Sequence, residues 1–190
     1  MEAVEALIAA NIEFESRLRQ VATGDWTRST PCSEWDVRGL VNHVLLGTRM
    51  SIQILAGMPV DEIISGLNDD LMTDTDPVNS FRALADDMVD GFSGPGGLDG
   101  NVDHPAGQFP RSVFVGFRVA DAAVHAWDLA TATGDDVGLN AELVQWLWDD
   151  AQPQREMLSA SGMFGDSASG DVPEDAPLQL RYLDLMGRRP

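Results

Sequence analysis

A chain of 190 residues can fold as one domain with a sizeable core, and its 44% hydrophobic and 23% charged composition is ordinary for a globular protein. Its 31 acidic residues against 12 basic ones, all arginine, give a formal charge of −19. Such a surface repels phosphate backbones and anionic lipid, which disfavours nucleic-acid binding and membrane adsorption.

No run approaches the roughly 18 apolar residues of a membrane span, since Arg49 interrupts the best stretch, 37–60. The acidic start lacks the basic head of a secretory signal. Cys32 is the only cysteine, so no intrachain disulfide can form and a reducing cytoplasm fits. A soluble cytoplasmic protein is expected.

Apolar residues recur at three- and four-residue steps, the signature of helices. The first helix is expected over 2–22, closed by Gly24. The second runs over about 36–56, with Ser33 and Asp36 spaced as a capping box, and Gly57 and Pro59 stop it. Residues 57–76 form an acidic connection with a helical turn near 62–67. A helix from Pro77 to about Gly91 takes Asp76 as its cap. Residues 92–109, with five glycines and two prolines, read as a loop with room for a short hairpin. The next helix follows Pro110 and ends at Gly134, and another starts after Asn140 and breaks at Pro153. A Ser/Gly-rich linker at 159–171 leads to a last short helix over 176–186. The chain divides into a helical bundle, 1–158, and a C-terminal part, 159–190.

The segment VGFRVADAAVHAWDLATATG, 115–134, is apolar nearly all round, yet carries Arg118, Asp121, His125 and Asp128 at steps of three, four and three. On a helix these steps return to one side, so the four groups form a narrow column. Asp121 and His125 at i, i+4 converge as two ligands of one metal ion do. A third ligand is available in His43, which lies mid-way in the second helix beside its apolar stripe. Gly39 and Gly47, four residues to either side, leave open space around that imidazole. The set is then two histidines and a carboxylate, with positions left for water or substrate. The competing reading is a solvated strip in which Arg118 pairs with Asp121, and Asp128 with His125.

His104, in DHPAG, reads as a loop residue. Cys32 lies eleven residues before His43, about 16 Å along a helix axis, too far for a Cys–His pair, and reads as structural. Trp35, Trp127, Trp146 and Trp148 read as core. The chain has no phosphate-binding glycine loop, nucleophile elbow or CxxC pair.

PCSEWDVRGLVNHV resembles the start of the second helix in actinobacterial proteins of the DinB/YfiT-like superfamily. They include relatives of the N-terminal domain of mycothiol-dependent maleylpyruvate isomerase. ADAAVHAWDLATATG is similar to their Glu-x-x-x-His-x-Trp-Asp-Leu-Ala element, and LDLMGRRP to a common ending. The resemblance implies an all-α, DinB-like four-helix bundle with a long crossover between the second and third core helices, plus extra C-terminal helices. It also implies a divalent metal, zinc being frequent, on His43, Asp121 and His125. Asp121 departs from the family's Glu and is one methylene shorter, so its reach to an ion is in question.

The reading that follows is a metal-binding protein that uses a low-molecular-weight thiol such as mycothiol in an isomerase- or transferase-like step on a small molecule. Asp128 orients His125, Arg118 attracts an anionic substrate, and loop 92–109 closes over the site. The alternative is a non-catalytic bundle, a homodimer being one form of it, that has lost the metal.

Overall fold

The computed structural model describes residues 1–73, 76–155 and 168–190. It places α1 at Ala3–Leu18, α2 at Val37–Leu55, α3 at Val60–Ser65, α4 at Pro77–Ser93, α5 at Arg111–Thr133, α6 at Ala141–Ala151 and α7 at Leu178–Leu185. Strands β1 (Asn101–His104) and β2 (Gly107–Pro110) form an antiparallel hairpin, the sole sheet among the described residues. The fold is all-α but for this ribbon. No helix among the described residues is long and apolar enough to cross a membrane.

The helix ends follow local chemistry. Asp36 caps α2 by accepting from the Gly39 N–H at 2.8 Å, so the cap is Asp36 itself and not Ser33, and the helix begins one turn later than the Ser33 spacing implied. Asp76 caps α4 through the Asn79 N–H, with Pro77 in the first turn where its missing donor is harmless. Gly134 closes α5 at φ +79°, donating to the Ala130 carbonyl, a backbone state that suits glycine. Asn140 caps α6, which gives way at Ala151 to a single 3-10 turn around Pro153. α1 stops at Leu18, short of residue 22, because Leu18 is the last buried apolar residue of its stripe. The expected linker at 159–171 falls largely outside the described residues.

α1, α5, α2 and α4 form a ring, each packing on the next, with α4 returning to α1. The long connection 56–76, which carries α3, joins α2 to α4. α6 lies against α1 and α5, and α7 packs on α6.

α5 is the inner helix. Its residues from Phe114 to Ala130 are all buried, which explains why it is apolar over most of its circumference. Two apolar clusters fill the bundle. One centres on Phe114, Phe92, Leu7 and Tyr182, the other on Phe14, Leu40, Phe81 and Leu129. The polar column of α5 faces α2 between them.

Candidate metal centre

Arg118, Asp121, His125 and Asp128 are all buried, with Asp128 at 0% exposure. The strip is therefore not solvated, although both pairs expected of it, Arg118 with Asp121 and Asp128 with His125, do form. Four polar groups taken out of water demand partners, and each finds one. Arg118 Nη2 donates to Asp121 Oδ2 at 2.9 Å. His125 Nδ1 lies 2.9 Å from Asp128 Oδ2. The second carboxylate oxygen of Asp121 meets both imidazoles: Oδ1 is 3.3 Å from His43 Nε2 and 3.6 Å from His125 Nε2. Asp121 therefore reaches both histidines in spite of its shorter side chain. The structure brings His43, Asp121 and His125 together as one cluster, with one nitrogen or oxygen from each lying within 4.8 Å of the others.

The glycines beside His43 are spaces already filled. A Cβ on Gly39 would sit 3.3 Å from Trp35 Cβ, and one on Gly47 would sit 3.0 Å from both terminal nitrogens of Arg118. Gly39 admits the indole that stacks on His43, and Gly47 admits the guanidinium that holds Asp121. His43 keeps 36% of its side chain exposed, against 5% for His125, so the cluster opens to solvent on the α2 side.

Burial alone would push the Asp121 carboxyl up, but Arg118 and the two imidazoles outweigh it and hold it well below the usual carboxylate range. Asp128 follows the same pattern. Burial raises it, and hydrogen bonds from His125 and Arg188 more than reverse the effect. Both carboxylates are ionised.

Four residues at this site were not legible as such. Cys32 precedes α2 and reaches across to α5, where its Sγ is 3.3 Å from Asp128 Oδ2. The helical distance to His43 was beside the point, because its neighbours are on another element. Burial first, and then Asp128, push this thiol up to about 12. Trp35 packs against the second core cluster, as expected, and is also part of the site: it stacks on His43 and lies edge-wise to His125. Thr30 ties this loop together, accepting from the Cys32 N–H at 3.1 Å and donating to the Trp35 carbonyl at 2.8 Å. Arg188, from the 168–190 segment, donates to both oxygens of Asp128. The two glycines bracketing His43 were the only signal for the neighbours that fill those spaces.

His104 lies on β1, against Phe109 and Phe114 and outside the ligand cluster, its Nδ1 accepting from the Ala106 N–H; burial and then the charge of Arg118 lower its pKa. Arg118 has Nη2 committed to Asp121, while its Nε is buried without a hydrogen-bond partner among the described residues.

The donor set fits a metal ion. Ligand atoms each about 2.0–2.1 Å from a tetrahedral zinc lie roughly 3.3–3.4 Å from one another. The observed 3.3 and 3.6 Å agree with that spacing. They are long for charge-assisted hydrogen bonds, which run at about 2.7–2.9 Å.

Uncharacterized protein Rv0738 of Mycobacterium tuberculosis strain H37Rv is 33% identical over 143 residues, covering 75% of this chain and 74% of that protein. Uncharacterized protein MT0763 of strain CDC 1551 matches to the same extent. The crystal structure of the mycothiol-dependent maleylpyruvate isomerase superposes with a TM-score of 0.61 at 13% identity, over 87% of this chain and 72% of that one, a likeness of fold. The family model described as mycothiol maleylpyruvate isomerase N-terminal domain matches residues 7–130, and the chain belongs to that DinB/YfiT-like family.

Proposed function

We propose that the chain binds a divalent metal ion, zinc by preference, through His43 Nε2, Asp121 Oδ1 and His125 Nε2. The ion serves a low-molecular-weight thiol, mycothiol being the family's example, in an isomerase- or transferase-like step on a small molecule. The observation that carries the metal reading is the pair of separations at Asp121 Oδ1, 3.3 and 3.6 Å, set between two histidine nitrogens. A bound zinc supplies Lewis acidity and lowers the pKa of a coordinated water or thiol.

The chain's own residues prepare the place. Arg118 keeps Asp121 ionised and takes up its second oxygen, leaving Oδ1 for the ion. Asp128 holds the His125 ring by Nδ1. The exposed side of His43 leaves a path for solvent and substrate. Arg118 also supplies positive charge beside the site for an anionic substrate.

Elemental analysis of untagged protein, repeated on His43→Ala, tests the reading. The parent is expected to carry about one equivalent of metal and the variant far less. A metal-free bundle acting as a binding module is the second reading, and the Arg118–Asp121 pair favours it, because that carboxylate already has a counter-charge. Absence of metal from the parent, with no zinc uptake by calorimetry, establishes the second reading.

A further inference from the structure

Arg188 is buried, and its guanidinium meets Asp128, Met186 and Cys32 among the described residues. Nε donates to Asp128 Oδ1 at 3.1 Å, Nη2 to Asp128 Oδ2 at 2.6 Å, and Nη1 to the Met186 carbonyl at 3.0 Å. Nη2 also lies 3.1 Å from Cys32 Sγ. Asp128 Oδ2 thus receives Arg188, the Cys32 thiol at 3.3 Å and His125 Nδ1 at 2.9 Å. An ionised carboxylate only accepts hydrogen bonds, so the proton of the Asp128–His125 contact sits on Nδ1. The other ring nitrogen, Nε2, is the one that faces Asp121 Oδ1, at 3.6 Å.

A second set of metal-ligating atoms overlaps the first. Cys32, His125 and Asp128 also bring one donor atom each within 4.8 Å of one another. His125 is common to both sets. The guanidinium of Arg188 sits on the Cys32 and Asp128 side, hydrogen-bonded to both. Two cations do not share one buried carboxylate at this distance without strong repulsion. Arg188 therefore fills, as a fixed organic cation, the place a metal ion would need there.

We propose that Arg188 is a positioning residue that holds His125 in its Nδ1–H form through Asp128 and bars the Cys32–His125–Asp128 set from taking a metal, leaving Nε2 to the His43–Asp121 side. The part about metal placement rests on the metal-binding reading above, whereas the part about the His125 ring does not.

Two measurements on the full chain test this. In ¹⁵N-histidine-labelled, metal-free protein, long-range proton–nitrogen correlations are expected to show His125 protonated at Nδ1. Titration with cobalt(II) then reads which set is filled, since thiolate ligation gives a near-ultraviolet charge-transfer band that imidazole and carboxylate do not. The parent is expected to lack this band. Arg188→Met is expected to gain it, with cobalt affinity for the Cys32 set rising at least about 10-fold, and Cys32→Ser in that background is expected to abolish it. Arg188→Lys keeps a cation and is expected to stay without the band. A purely structural role for Arg188 would alter stability without creating a thiolate band.

An Nε2–H form of His125 in the parent, or a thiolate band in the parent, overturns the proposal whether or not any variant folds. So does a folded Arg188→Met in which neither the ring nor the band changes. A parent that binds no cobalt, beside an Arg188→Met that binds it through Cys32, supports the role of Arg188 and defeats the metal assignment of the preceding section.

Discussion

The indole of Trp35 lies on the imidazole of His43, with ring centroids 4.2 Å apart and planes inclined by 24°. One comes from the loop before α2 and the other from its second turn, so the contact joins the loop to the most exposed member of the cluster. The stack fixes one face of a ring that would otherwise rotate at the solvent edge. Trp35→Ala is expected to weaken zinc binding by roughly 10-fold, the size typical of losing a group that orients a ligand. Trp35→Phe is expected to retain most of the affinity. Calorimetric titration of the three proteins checks this, and equal affinities in all three would show that the stack is idle.

Asp121→Glu is expected to weaken zinc binding. The Asp carboxylate already spans both imidazoles, and its other oxygen is engaged by Arg118. An added methylene in this buried space shifts both contacts, and overpacking of this kind costs about 1–3 kcal/mol. Tighter binding by the Glu variant would mean that Asp121 is too short after all.

Gly47→Ala is expected to destabilise the protein. In an open helix the change would add about 1 kcal/mol of stability. Here the new methyl would meet the Arg118 guanidinium at 3.0 Å, and that group is pinned by Asp121 and buried. Urea denaturation of parent and variant decides the sign, and a gain in stability would show that Arg118 moves freely.

Stability is expected to fall steeply in acid. Asp121 and Asp128 are both held below the ordinary carboxylate range by their cationic neighbours. The unfolded chain takes up their protons first, near its ordinary pKa of about 3.9. Their contribution is therefore complete above about pH 5 and is lost as pH drops through 4 towards their folded values. Each can add up to about 1.4 kcal/mol per pH unit to the slope. Asp128→Asn is expected to flatten the slope between pH 4 and 3, as measured by urea unfolding at fixed pH values.

Cys32 is expected to resist alkylation. A free thiol near pKa 8.5 is about one quarter thiolate at pH 8, whereas one pushed up to about 12 is thiolate in roughly one molecule in ten thousand. Iodoacetamide should modify the folded protein about 10³-fold more slowly than the urea-unfolded chain. The stability from keeping this thiol protonated is present below about pH 8.5 and is lost as pH rises towards 12. Comparable rates in the folded and unfolded chains would refute the buried, acid-paired thiol.

The fold was readable where one residue decides an event. Asp76, Gly134, Asn140 and Pro153 each mark a boundary by a local cause, and each does so in the structure. The i, i+4 spacing of Asp121 and His125 likewise announced a shared side of α5. What was hidden depends on contacts between distant segments. Nothing local tells Cys32 that Asp128, ninety-six residues on, is its neighbour, or Arg188 that it will lie on the same carboxylate. Burial of the polar column was equally hidden, because spacing gives a side of a helix but not what covers it. Gly39 and Gly47 recorded that something lies close to α2 without naming Trp35 or Arg118.

The burial of α5 on all sides also sets how the site can move. A helix covered by α1, α2, α6 and the hairpin has no local fraying that exposes its middle turns. Amide hydrogens around Asp121 to Asp128 should exchange with solvent deuterium only when the whole domain opens, at rates that report global stability. Amides of the Thr30–Trp35 loop should exchange through far smaller openings. Asp121 and His125 are thus as rigid as the domain itself, and any accommodation of an incoming molecule falls to Trp35 and the exposed edge of His43.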